Sequence, residues 1–105
     1  MQDLRKISNE ELKNILELHK KWLNNEKDGK IADLSYVDLA SVDLTNVDLS
    51  YADLTGANLI NVDLINANLS YANLSYVNLS YADLTFANLK GVNLKDADLT
   101  GANLN

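Results

Sequence analysis

Residues 52–69 read ADLTGANLINVDLINANL, with Leu54, Leu59, Leu64 and Leu69 five apart and each preceded by Asp or Asn. Neither a helix nor a strand repeats every five residues, because their side-chain periods are about 3.6 and 2.0. The pattern extends in both directions. From Ile31 onward the chain reads Ala or Val, Asp or Asn, Leu, then two variable residues, and Leu holds all fifteen centres from Leu34 to Leu104. The first position is Ala nine times and Val six, the second Asp eight times and Asn seven. One place is therefore always small and apolar, and the next always carries a side-chain oxygen.

Parity turns this spacing into a shape. In an extended segment Ala32 and Leu34 point to one side and Asp33 to the other. Continued alternation would turn Val37 outward, yet Val37 opens the next repeat and belongs inside with Leu39. Each unit must absorb one residue at a corner near its two variable positions. Repeated corners of one hand wind the chain into a coil with Leu and Ala or Val inside. Backbone groups can then pair with the coils above and below at about 4.8 Å. No repeat buries its Leu alone, so stability comes from stacking. Every motif Leu from Leu39 to Leu84 is expected to be buried. A leucine-rich helix or coiled coil needs a spacing of about 3.5 or 3.6, and a strict five scatters Leu around such a helix.

The units ADLTG, ANLIN, ANLSY and ADLTF match the motif A(D/N)LXX, and residues 31–105 resemble the pentapeptide-repeat family. The resemblance implies an all-β solenoid, a right-handed quadrilateral β-helix with four repeats to a coil and just under four coils. Residues twenty apart would stack into columns, with Asp43, Asp63 and Asp83 on one face and Asn103 below them. Such side chains lie in register along a wall and do not converge on a point, so no metal is expected. Local hydrogen bonds from Asp and Asn to turn backbone are what the family implies.

Residues 1–30 differ in character and are read as an N-terminal arm and capping helix. They carry seven Lys or Arg against six Asp or Glu, whereas residues 31–105 carry two Lys against nine Asp. This break near Gly29 marks a boundary between the cap and the repeat domain, 31–105. Ile7-Ser8-Asn9-Glu10-Glu11-Leu12 is a helix start, with Ser8 as cap, Glu11 at the capping-box position and Ile7 paired with Leu12. Leu12, Ile15, Leu16, His19, Trp22 and Leu23 form one apolar face, and Asn24, Asn25 and Gly29 supply the stop. The spacing predicts a helix over 9–24 that closes the first coil, with Trp22 plugging the interface against Ala32, Leu34 or their neighbours. His19, the one histidine, has no nucleophile or second ligand beside it and is expected to be a packed cap residue.

The outside is less telling. Aromatic residues gather at the second variable position: Tyr36, Tyr51, Tyr71, Tyr76, Tyr81 and Phe86. Tyr51 and Tyr71 would stack on one face, and Tyr71 through Phe86 would ring one coil. Two readings stand: the rings cover the corner backbone, or they contact a protein partner. Ile60 and Ile65 are expected to point outward on neighbouring faces. The last coil presents Leu89, Val92, Leu94, Ala97, Leu99, Ala102 and Leu104. No covering segment follows them in this sequence, so a second copy packed end to end is expected to cover them.

Several function classes drop away. Ser and Thr are plentiful, but no base accompanies them, and no glycine-rich phosphate loop exists. No enzyme activity and no cofactor are expected. The acidic repeats argue against direct nucleic-acid binding, and no apolar stretch approaches membrane-spanning length. The chain has no Cys, which suits a soluble, reducing compartment, most simply the cytoplasm. The leading reading is a non-catalytic protein-interaction or scaffolding module whose protein partner is unknown. The alternative comes from the family resemblance: some members mimic duplex DNA in width and charge and bind DNA gyrase or topoisomerase.

Overall fold

The structure, a computed structural model, describes residues 3–105, so Met1 and Gln2 of the expected arm lie outside the described residues. Its backbone pairing has a period of twenty residues. Parallel bridges join Asp33 to Asp53, Asp53 to Asn73 and Asn73 to Asn93, and three further columns repeat the pattern, one of them Asp43–Asp63–Asp83–Asn103. Four five-residue units thus make one coil. Among the described residues, pairing takes the form of isolated bridges and not of continuous strands. The cause is geometric: only Ala/Val, Asp/Asn and Leu are extended before the next corner.

One repeat shows how its backbone is satisfied. In Val62–Asn66, Val62 N–H closes the preceding corner on Leu59 C=O at 3.1 Å, and Asp63 N–H reaches up to Val42 C=O at 3.1 Å. Leu64 and Asn66 N–H reach down to Asp83 and Thr85 C=O at 2.8 and 2.9 Å. Ile65 N–H has no neighbouring coil to use, and it donates to Asp63 Oδ1 at 3.0 Å. All five donors are used, as buried backbone requires. The last of these bonds explains the Asp or Asn in every unit. It recurs in all fifteen repeats at 3.0–3.2 Å. Where the residue after the Leu is Ser or Thr, its hydroxyl often donates to the same oxygen, as from Ser75 to Asn73 at 2.7 Å.

The corners are tight turns closed by N–H···O=C bonds of 2.9–3.3 Å from the next Ala or Val back to the Leu. Their third residue has φ between 57° and 68° at all fourteen corners, from Tyr36 to Gly101. That is the left-handed region, which a type II turn demands at this position. Only Gly56, Gly91 and Gly101 are glycines there.

Inside, every motif Leu from Leu34 to Leu84 is buried, together with Ala32, Val37, Ala52, Ala57, Val62, Ala67, Ala72, Val77 and Ala82. The expectation for Leu39–Leu84 holds. Burying a Leu contributes about 1.5–3 kcal/mol before entropy is charged against it. Ser50, Ser70, Ser75 and Ser80 are buried as well, because their hydroxyls are spent on the Asp or Asn oxygen two residues earlier.

Helix α1, Asn9–Leu23, closes the first coil. Ser8 Oγ accepts from Glu11 N–H at 3.0 Å. At the other end, Asn25 at φ 59° lets Glu26 N–H reach Lys21 C=O at 2.9 Å and Asn25 N–H reach Trp22 C=O at 3.1 Å. This pair of bonds is a Schellman stop. Gly29 then passes so close to α1 that a Cβ there would lie 2.2 Å from Trp22 N.

The plug of this interface is His19, not Trp22. His19 is fully buried and Trp22 is 37% exposed. Ala32 N–H donates to Nδ1 at 2.9 Å, which places the ring proton on Nε2, facing Ser50 C=O at 2.9 Å. The physical reason is polar: the end of the first coil presents backbone groups that an imidazole can satisfy and an indole cannot. Leu12 is buried, while Ile15, Leu16 and Leu23 are half-buried along the rim.

The arm adds a contact absent from the sequence reading. Arg5 forms a parallel bridge to Val37, with Arg5 N–H on Tyr36 C=O at 2.7 Å and Asp38 N–H on Arg5 C=O at 2.8 Å. Its guanidinium donates to Ser35 C=O at 2.9 and 3.1 Å and lies 3.7 Å from the Asp33 carboxylate.

Candidate interaction surface

Along one corner column the aromatic rings form a ladder that starts on the cap. The His19 and Trp22 rings stack with centroids 5.7 Å apart, and Trp22 meets Tyr51 edge-on at 6.1 Å. Tyr51 stacks on Tyr71 at 5.3 Å and 16°, as the twenty-residue spacing predicts. The Tyr71 ring then lies over Gly91, where a Cβ would be 2.5 Å from it. Tyr51 and Tyr71 remain 52% and 46% exposed, so the ladder leaves ring area open to solvent while the Tyr71 ring covers the Gly91 corner.

The same device recurs on two other corners. A Cβ on Gly56 would fall 2.3 Å from the Tyr36 ring, and one on Gly101 would fall 2.6 Å from the Tyr81 ring. Each corner glycine therefore sits one coil beyond a tyrosine that leans over it. The signal was in the sequence as three Tyr–Gly pairs twenty residues apart, and the sequence reading did not use it. Tyr76, Tyr81 and Phe86 complete the ring of the third coil and are 56%, 63% and 77% exposed. Ile60 and Ile65, expected outside, are half-buried, because the first variable position folds back toward the coil wall.

The acidic columns carry local bonds. Thr and Ser hydroxyls, then their N–H groups, hold the Asp33, Asp43, Asp83 and Asp98 carboxyls below the usual range. Burial pushes the His19 imidazole down, opposed by the Ser50 carbonyl and the Asp48 charge. Among the described residues, no group of three or more His, Asp or Glu side chains gathers as a metal ion would require. At the far end Leu89, Val92, Leu94, Ala97, Leu99 and Ala102 are half-buried and Leu104 is 53% exposed. No described helix is long and apolar enough to cross a membrane.

A solenoid of Asx-bonded five-residue units, four to a coil, defines the class of protein. The family model for pentapeptide repeats (8 copies) matches residues 32–70 and 67–105, and the chain belongs to the pentapeptide-repeat family. The membership carries a right-handed β-helix solenoid with it. Among solved structures, a pentapeptide repeat protein from the Arabidopsis thaliana thylakoid lumen is 37% identical, with a TM-score of 0.66, over 67% of this chain and 48% of its own. HetL, a pentapeptide repeat protein involved in heterocyst differentiation regulation from the cyanobacterium Nostoc sp. strain PCC 7120, is 37% identical. Its TM-score is 0.41, over 70% of this chain and 43% of its own. Rfr23, a pentapeptide repeat protein from the cyanobacterium Cyanothece 51142, is 33% identical, with a TM-score of 0.37, over 72% of this chain and 52% of its own. The chain thus spans about half the length of these structures. No curated protein matches.

Proposed function

We propose that the chain is a non-catalytic, cytoplasmic protein-interaction module built on a four-sided β-helix of just under four coils. The observation that carries this reading is the Trp22–Tyr51–Tyr71 ladder: exposed rings held in fixed register on a stiff scaffold. Tyr and Trp give contact area at little conformational-entropy cost. The partner is a protein, and neither nucleic acid nor a membrane is bound directly. Affinity capture with the wild type and with Tyr51→Ser/Tyr71→Ser tests it. Retention of one protein by the wild type and its loss from the double variant, with circular dichroism unchanged, is the expected result. An identical set of captured proteins from both would overturn the role of the ladder.

A second reading, a DNA mimic that binds gyrase, rests on the acid of the first five units, the first coil and the start of the second. Asp33, Asp38, Asp43, Asp48 and Asp53 succeed one another along the chain, on a body whose longest extent is 39 Å. A supercoiling assay with purified gyrase decides it: inhibition that vanishes when these five residues become Asn supports mimicry, and unaltered supercoiling rejects it.

The end of the solenoid at residues 89–104 is proposed to pair with a second copy, which would bury Leu94, Leu99 and Leu104. Light scattering on the 105-residue chain and on Leu99→Lys checks this. A dimer dispersed by the substitution is expected, and a wild-type monomer at high micromolar concentration excludes it.

A further inference from the structure

The cap does not finish the edge of the first coil. Arg5 pairs with the second unit, at Val37, and the chain then turns inward as α1. Above residues 40–48, from the second corner into the fourth unit, no described segment takes the place of a preceding coil. Among the described residues, the N–H groups of Asp43 and Asp48 and the C=O groups of Ala40, Asp43, Thr45 and Asp48 make no hydrogen bond, although their counterparts one coil later are paired. Beside this edge two adjoining clefts of about 450 and 470 Å³ run between α1 and the coil. Their floor is apolar, formed by Leu16 with Val42 and Val47, and both valines are only half-buried, unlike Val37, which is fully buried.

We infer that this edge is a binding site for an extended, arginine-bearing peptide segment of a partner protein, added as a further parallel rung. Unpaired strand edges recruit extended chains in this way: main-chain bonds give affinity and side-chain pockets give specificity. The occupant's chemistry follows from the adjoining contact. Arg5 bridges Val37, donates to the corner carbonyl of Ser35 and lies by Asp33. Shifted by one repeat, an arginine over Val42 would meet Ala40 C=O and Asp38, and one over Val47 would meet Thr45 C=O and Asp43. Two arginines five residues apart therefore suit the edge. Lys13 and Lys20 also line the helical wall, with Glu17 between them. The arginines are accordingly placed on the coil side, where the carboxylates are.

The inference rests on the reading of the chain as an interaction module and is tested apart from it, because neither cleft is lined by Trp22, Tyr51 or Tyr71. The probe is the peptide LRKISLRKIS, acetylated and amidated, which repeats residues 4–8 of this chain and sets its arginines five apart. Titration by fluorescence anisotropy should give saturable one-to-one binding, abolished when both arginines of the peptide become Glu. Asp38→Asn and Asp43→Asn keep the side-chain oxygen that the turn needs, as Asn does in seven repeats, and each should weaken binding roughly three- to fivefold. Hydrogen exchange gives the decisive readout: the Asp43 and Asp48 amides should exchange quickly in the free protein and become protected by peptide. A peptide that fails to bind, or that binds while both amides stay unprotected, overturns the inference. Loss of partner capture through Tyr51 and Tyr71 alone would leave the module standing without this site.

Discussion

A left-handed backbone costs an L-residue about 1–2 kcal/mol, and eleven of the fourteen corners here place a residue with a side chain in that region. Phe86 is the least recompensed, being 77% exposed, and its column carries Asn46 and Asn66 at the same place. Asn tolerates this conformation several-fold better than most residues. Phe86→Asn is therefore expected to raise stability by about 0.5–1 kcal/mol in urea denaturation. Gly91→Ala should lower it, because the added Cβ would press on the Tyr71 ring. His19 gives a pH dependence whose sign is fixed. Its folded-state pKa lies below the ordinary 6.5, so the unfolded chain binds the proton first and stability falls as pH drops below that value. A flat denaturation midpoint above about pH 7 and a decline beneath it are expected. His19→Leu should remove the part of that decline above about pH 5, where the depressed carboxyls do not yet contribute, and cost about 1–3 kcal/mol, since Ala32 N–H and Ser50 C=O lose their partner. At this scale the sequence was legible wherever residue type and role coincide, as for Asp and Asn with their turn amides. The place of each corner was legible and its turn type was not, because Tyr and Phe do not announce a positive φ.

The cap helix could be drawn from its sequence almost to the residue, since Ser8 at one end and Asn25 at the other are chemical stops. Ser8→Ala removes the bond to Glu11 N–H and should cost about 1 kcal/mol. Deleting residues 1–30 should expose the first edge and drive association, visible as a rise in scattering; a truncated chain that stayed monomeric and equally stable would refute the capping role. His19 and not Trp22 is the plug, and the helical pattern alone does not separate them. An apolar stripe on a helical wheel says which face turns inward, and Trp22 and His19 share that face. It does not say that the surface opposite consists of a carbonyl and an amide. The Arg5 bridge was out of reach for a similar reason, because a single paired residue leaves no periodic trace in a sequence.

For the molecule as a whole, the five-residue parity foretold the coil, while the four-unit turn came from resemblance and appears in the bridges twenty residues apart. Depth along the stack sets what each Leu is worth. Leu64 is 1% exposed in the second coil and Leu104 is 53% exposed in the last. Leu64→Ala should cost about 2–5 kcal/mol and Leu104→Ala under about 1 kcal/mol, compared by thermal denaturation. The ordering would fail if both variants melted together. The twenty-residue columns also govern how such a gene can grow. Slippage that adds or loses a single repeat keeps every leucine inside but rotates all later residues by one face, so a pair that straddles the change, such as Tyr71 and Gly91, is no longer aligned. Slippage by a whole coil leaves every column aligned. Inheritance in this chain is quantised, with the single repeat as the unit of folding and the coil as the unit of surface.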